Sequence, residues 1–145
     1  QNRFLAQFGL KVAGIRLHGA APNIVVRRSA RTFRDTALLE GVESVDLDTA
    51  VLLQTSEPAQ VVLMAAGHDV PVDPKSDLPV QWPYDSHIVM AASRNGAGGS
   101  VLLGPTSVLS DPWRSASGYE FAAIGANARL AENVLGFLLN APAQR

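Results

Sequence analysis

The sequence predicts a single α/β domain over residues 1–145, with a mainly parallel sheet flanked by helices. Three observations predict it. Short stretches rich in β-branched residues recur along the first two thirds of the chain, each bounded by Gly, Pro or Asp-Thr steps. The run Gln60 to Ala65 is apolar almost throughout, as expected of a strand covered on both faces, and parallel sheets are built from such strands. The chain then closes on an amphipathic helix whose apolar face needs a sheet beneath it.

Taken in order, Phe4, Leu5 and Phe8 fall at helical spacing before Gly9, which predicts a short opening helix. An α/β unit normally opens on a strand and residue 1 is not Met. The expectation is therefore that further strands lie upstream and that the chain is the C-terminal part of a larger domain or polypeptide. A self-sufficient, smaller variant of the fold is the alternative. Residues 12–17 and 23–28 read as short strands or extended connections. Residues 35–42 suit one helical turn, with Asp35 or Thr36 as its N-cap and Gly41 as its stop. Residues 45–47, 51–53 and 61–64 follow as three β-rich pieces divided by Asp48-Thr49 and Glu57-Pro58.

Residues 67–87 carry Pro71, Pro74, Pro79 and Pro83 among charged residues, which predicts a long surface loop. Residues 88–92 and 100–103 read as two more strands. The Asn95-Gly96 step between them signals a turn, either of a hairpin or of a link between neighbouring strands of an α/β sheet. In the last helix, Asn127 is placed as the cap. Leu130, Ala131, Val134, Leu135 and Leu138 then fall on one face, with Arg129, Glu132, Asn133, Gly136 and Asn140 on the other. Pro142 ends it.

Composition excludes several functions. Lys and Arg number 12 against 13 Asp and Glu, a formal net charge of -1, so no bulk electrostatic term favours nucleic acid or an anionic membrane. No apolar run approaches the roughly 18 residues that span a bilayer. The chain has no Cys, which excludes a disulfide framework, a thiolate metal site and a cysteine nucleophile together.

Two constellations carry candidate chemistry. His68, Asp69, Asp85 and His87 supply imidazoles and carboxylates of the kind that hold zinc, manganese or iron at an open site, and so a metal-dependent hydrolase. His68, Asp69, Arg94 and Ser107 are expected on one rim as a ligand site, since open α/β sheets bind ligands at the carboxyl ends of parallel strands. No G-x-S-x-G turn surrounds Ser107 or Ser110, which read as turn residues. Arg27, Arg28, Arg31 and Arg34 form a cluster that suits either recognition of carboxylate or phosphate groups or a solvated strand end and loop. Trp82, Tyr84, Trp113 and Tyr119 fall in expected loops, as a contact surface for a sugar ring or partner, or as anchors that pin those loops.

The order of several motifs resembles a known family. These are Phe8-Gly9-Leu10 after the opening helix, Leu38-Leu39-Glu40-Gly41-Val42, Val101-Leu102-Leu103-Gly104 leading into residues 106–111, and Asn127 with Leu130, Asn133 and Leu135. Together they resemble the C-terminal part of the class I glutamine amidotransferase-like fold. Within it they are most similar to the catalytically silent branch found in gliding-motility and intraflagellar-transport proteins. Where that branch has a Gly-Asp-Ser-like turn after the strand, this chain has Gly104-Pro105-Thr106-Ser107, without the acidic position. The resemblance implies a flavodoxin-like three-layer architecture. It also implies a non-catalytic module that binds a partner protein, the remainder of a longer chain, or a small polar ligand such as a carbohydrate. No cofactor is expected. The other readings are the metal-dependent hydrolase above and a structural assembly subunit.

Overall fold

The computed structural model describes residues 2–18, 24–34, 37–47, 50–65, 70–84, 87–95, 98–104 and 127–139. The opening helix α1 spans Asn2–Leu5 and tightens into a 3-10 turn at Ala6–Phe8, which Gly9 ends in the left-handed conformation that glycine adopts without steric cost. Among the described residues eight strands follow: β1 (Leu10–His18), β2 (Ile24–Arg27), β3 (Ser44–Leu47), β4 (Ala50–Thr55), β5 (Gln60–Ala65), β6 (Val70–Val72), β7 (His87–Asn95) and β8 (Gly98–Leu103). A second 3-10 turn lies at Ala37–Leu39, and α2 covers Asn127–Leu139.

The strands make three sheets, ordered β4-β1-β6, β2-β3 and β5-β7-β8, and every described pairing is antiparallel. This overturns the mainly parallel, flavodoxin-like three-layer sheet expected from the sequence. The apolar run in β5 does mark a strand buried on both faces, but the cause is different. Val62, Leu63 and Ala65 enter the main core, while Val61 and Met64 pack against a second cluster built on Leu10, Leu53, Ile88 and Ala91. Sandwiching between two apolar layers gives the same pattern as a parallel sheet. β7 and β8 pair as an antiparallel hairpin, with Asn95 opposite Gly98, and the two residues between them are too few for a parallel crossover.

The two larger sheets meet where β8 ends. The Gly104 amide donates to the Val89 carbonyl at 2.8 Å, and a Cβ on Gly104 would run into the carbonyl oxygen of Val51 in β4. The outer edge of β5 is covered by residues 32–34, whose backbone exchanges hydrogen bonds with Val62 and Met64 and bridges Phe33 to Leu63. Unpaired strand edges are thereby reduced.

The expected loop at 67–87 contains β6. Val70–Val72 pairs with residues 16–18 of β1, and Pro71 is tolerated because β6 is an edge strand. The chain then folds back, with Asp73 N–H on the Leu78 carbonyl at 3.0 Å and Val80 N–H on the Pro71 carbonyl at 2.9 Å. The tip is tied by Asp73 and by an Arg16–Asp77 ion pair at 2.5 Å. The Ser76 N–H, the Ser76 hydroxyl and the Lys75 N–H donate to Asp73, and these bonds hold its carboxyl below the usual carboxylate range. The tie is intact above the ordinary carboxylate value and is lost as pH falls through the lowered one.

Helix α2 docks through polar as well as apolar contacts. The Asn127 side chain is fully buried. Its Oδ1 accepts from the Asp46 N–H at 3.1 Å and its Nδ2 donates to the Asp46 carbonyl at 3.0 Å, so the amide pairs with β3 as a neighbouring strand would. Burial raises the Asp46 carboxyl above its usual range against a smaller opposing pull from Arg27, so its ionisation works against the folded state as pH rises. Asn133 Nδ2 donates to the carbonyls of Leu38 and Glu40 at 3.1 and 2.9 Å. The buried stripe is therefore Asn127, Leu130 and Val134, with Phe137 half-buried. Leu135 and Leu138, expected on the covered face, are 59% and 41% exposed.

Asn127→Ala leaves both Asp46 backbone groups without their partner and should cost about 2–4 kcal/mol in a denaturant titration. Arg129→Ala, which removes only an exposed pair with Glu132, should stay within about 0.5 kcal/mol. Gly104→Ala should destabilise by about 1–3 kcal/mol through the clash with β4. Gly136→Ala, with open space around the added methyl in the helix interior, should stabilise by about 0.5–1 kcal/mol in the same assay.

Candidate functional site

The seam between the two larger sheets opens as a cavity of about 570 Å³. Its floor is hydrocarbon, from Leu10 and Leu53 on one sheet and Val61 and Ile88 on the other. Its rim is polar, from Lys11 on β1 and from Gln54, Thr55 and Ser56 where β4 runs into a turn. The Ser56 amide donates to the Gly9 carbonyl at 2.8 Å, which fixes that turn against the end of the opening helix.

The remaining wall is aromatic. The backbone return from β6 delivers Trp82 and Tyr84, whose rings meet edge-to-face with centroids 5.1 Å apart at 62°. Trp82 is half-buried and packs on the main core, so it pins the proline-rich segment as one of the two sequence readings had it. Tyr84 is 51% exposed, and its hydroxyl accepts from Gln54 Nε2 at 3.3 Å. The lining thus offers an ammonium, an amide, three hydroxyls and two rings around an apolar floor.

Of the six residues in the two sequence-derived site constellations, two fall in the described structure. His87 opens β7 opposite Ala65, and Arg94 is seven positions further along the same strand, a distance of about 23 Å at the usual strand rise. Antiparallel pairing thus puts the carboxyl end of β5 beside His87 and far from Arg94. The rationale for one shared rim at the carboxyl ends of parallel strands does not hold. His68, Asp69, Asp85 and Ser107 lie outside the described residues, as do Ser110, Trp113 and Tyr119. Among the described residues no three His, Asp or Glu side chains converge to hold a metal ion. None of their helices is long and apolar enough to cross a membrane.

Arg28 of the arginine cluster serves the fold. Its guanidinium donates to the carbonyls of Val42 and Leu39, stands 5.1 Å from the centre of the Phe33 ring, and so caps the second 3-10 turn. The cleft residues Lys11, Gln54, Thr55 and Ser56 were not found from sequence. No motif marks them, since only the antiparallel pairing of β1 with β4 brings them together.

No family model matches the chain, and no curated protein matches it by sequence. A solved structure does match in fold. The mmIFT52 N-terminal domain aligns with 99% of this chain at a TM-score of 0.63 and 12% sequence identity. The chain spans 59% of the length of that structure. The fold thus resembles that domain, in line with the amidotransferase-like resemblance read from the motifs, although the described sheets are antiparallel.

Trp82→Ala should lower stability by about 2–3 kcal/mol, because it removes packing from the main core, while Tyr84→Phe should change it by less than about 1 kcal/mol. Urea unfolding followed by circular dichroism checks both.

Proposed function

We propose that this domain is a non-catalytic, amidotransferase-like binding module whose cleft beneath Trp82 and Tyr84 receives a side chain of a partner protein. The observation that carries the reading is the composition of that cleft. An apolar floor inside a polar, hydrogen-bonding rim is the arrangement of an anchor pocket in a protein interface, where a buried side chain supplies affinity and the rim supplies register. The groups on the rim bind and orient.

Two further facts support the reading. Amidotransferase chemistry requires a thiolate on a sharp turn activated by an imidazole, and this sequence has no Cys to supply one. The fold likeness to the mmIFT52 N-terminal domain agrees with the silent branch that the sequence motifs resemble. The occupant is drawn from a protein rather than a free sugar because Trp82 packs its ring on the core and meets Tyr84 edge-to-face, so the wall presents one exposed ring, that of Tyr84, rather than a pair of stacking plates.

The test is photo-cross-linking in cells that make the protein, with a photoreactive phenylalanine analogue at position 84. A discrete protein adduct is expected, and Thr55→Arg, which crowds the rim, should abolish it while the circular dichroism melting curve stays in place. No adduct, or the same adducts with and without Thr55→Arg, overturns the proposal. Ammonia release from glutamine should stay at the level of a no-protein control.

A further inference from the structure

A second cavity of about 410 Å³ lies near the other end of β7, on the face that α2 covers. Its volume falls in the range of about 300–1,000 Å³ typical of small-molecule sites. Hydrocarbon makes most of it. Leu38 comes from the second 3-10 turn, Val62 and Ala92 from the central strands, and Phe137 from the last turn of α2, all members of the main core or packed against it. Gln60 and Arg94 are the charged or amide-bearing side chains on its lining, and both are exposed at the mouth.

Arg94 is held across that mouth. Its guanidinium carbon stands 4.0 Å from the centre of the Phe137 ring, and Nη2 is 3.5 Å from the Phe137 carbonyl oxygen. Stacking on a ring and contact with a carbonyl at a helix C-terminus both hold a cation in place without neutralising it. Among the described residues no carboxylate pairs with Arg94, whereas Arg16, Arg28 and Arg129 each have one within 4.0 Å. Beside it, β5 begins at Gln60 opposite Ala92, so the β5-facing edge of β7 at residues 93 and 94 has no strand against it among the described residues, while the other edge pairs with Ser100 and Gly99 of β8.

We propose that this cavity binds a small apolar carboxylate, with the hydrocarbon body between Leu38, Val62 and Phe137 and the carboxylate on the Arg94 fork. A guanidinium fixed in a plane offers paired N–H donors that match the two oxygens of a carboxylate, and the apolar walls reject a body that carries further charge. The same chemistry is presented by a free branched-chain acid and by the C-terminal residue of a peptide ending in leucine. This site is separate from the Trp82 and Tyr84 cleft and stands or falls without it.

Titration of the whole chain with 4-methylpentanoate, followed by amide chemical shifts, tests the proposal. Shifts are expected around Leu38, Val62, Ala92 and Phe137. Affinity should fall at least about tenfold for the neutral 4-methylpentanamide and for the acid with Arg94→Gln, the loss of one charge-assisted pair. A parallel titration with a short peptide ending in a free leucine carboxylate separates the sources. Tighter binding than the free acid identifies a chain end, and weaker binding identifies the small acid. Equal binding of acid and amide, shifts centred away from these residues, or no response from acid or peptide at millimolar concentration overturns the proposal. The shift map also verifies that Arg94→Gln is folded.

Discussion

Burial of the central strands on both faces is the constraint from which the rest of this structure follows. Leu52 and Leu53 are neighbours in β4 and both are fully buried, one in the main core and one in the second cluster. Alternation along a strand sends successive side chains to opposite faces, so β4 needs an apolar layer on each side. The opening helix supplies Leu5, and the 3-10 turn after it Phe8, to one layer. The β2-β3 ribbon, Phe33, Leu38, Leu39, Val42 and α2 supply the other. Two sheets that share both layers must approach closely, which is why residue 104 has no room for a side chain beside Val51. Where the layers part at the end of β4, the seam opens into the aromatic-walled cleft.

The orientation of α2 is set by a polar contact rather than by its apolar stripe. A buried amide that satisfies both backbone groups of Asp46 fixes the rotation of the helix to within one residue, since any other phase would bury an unpaired amide and leave Asp46 without partners. That rotation brings Phe137 onto Gly99 and beneath Arg94, and so forms the mouth of the second cavity. It also leaves Leu139 80% exposed, although the leucines at 135, 138 and 139 would make a better hydrophobic face by composition alone. Among the described residues no strand lies beyond β3 to pair with the Asp46 groups, so hydrogen-bond satisfaction outweighs hydrophobic area here.

Local signals were legible in the sequence, and pairings were not. Gly9 and Gly41 as stops, the strands on either side of the Asn95-Gly96 step and the strands around residues 45–64 follow from residue chemistry within a few positions, and the structure has each of them. Double-faced burial was legible too, in the run from Gln60 to Ala65. What that run does not encode is which partner covers it, because a parallel sheet under helices and an antiparallel sandwich bury a central strand equally. The third strand of the first sheet was hidden for another reason. Pro71 argues against a strand interior, and only its edge position beside β1 makes it acceptable. Of the cleft, Trp82 and Tyr84 stood out by residue type. Lys11 and residues 54–56 are ordinary polar residues that acquire meaning only from their place around the seam.

The same reasoning accounts for a fold likeness that persists at 12% identity. Two apolar layers around shared strands constrain size and polarity at core positions, and many side-chain sets of similar volume meet that constraint. The rim positions around each cavity carry no such constraint. Gln54, Thr55 and Ser56 can change without disturbing either layer, and so can Arg94, since its contact with Phe137 lies outside the core. A domain of this kind therefore separates stability from recognition. The layers hold the seam open, while the identity of the occupant is written in a few exposed residues around it.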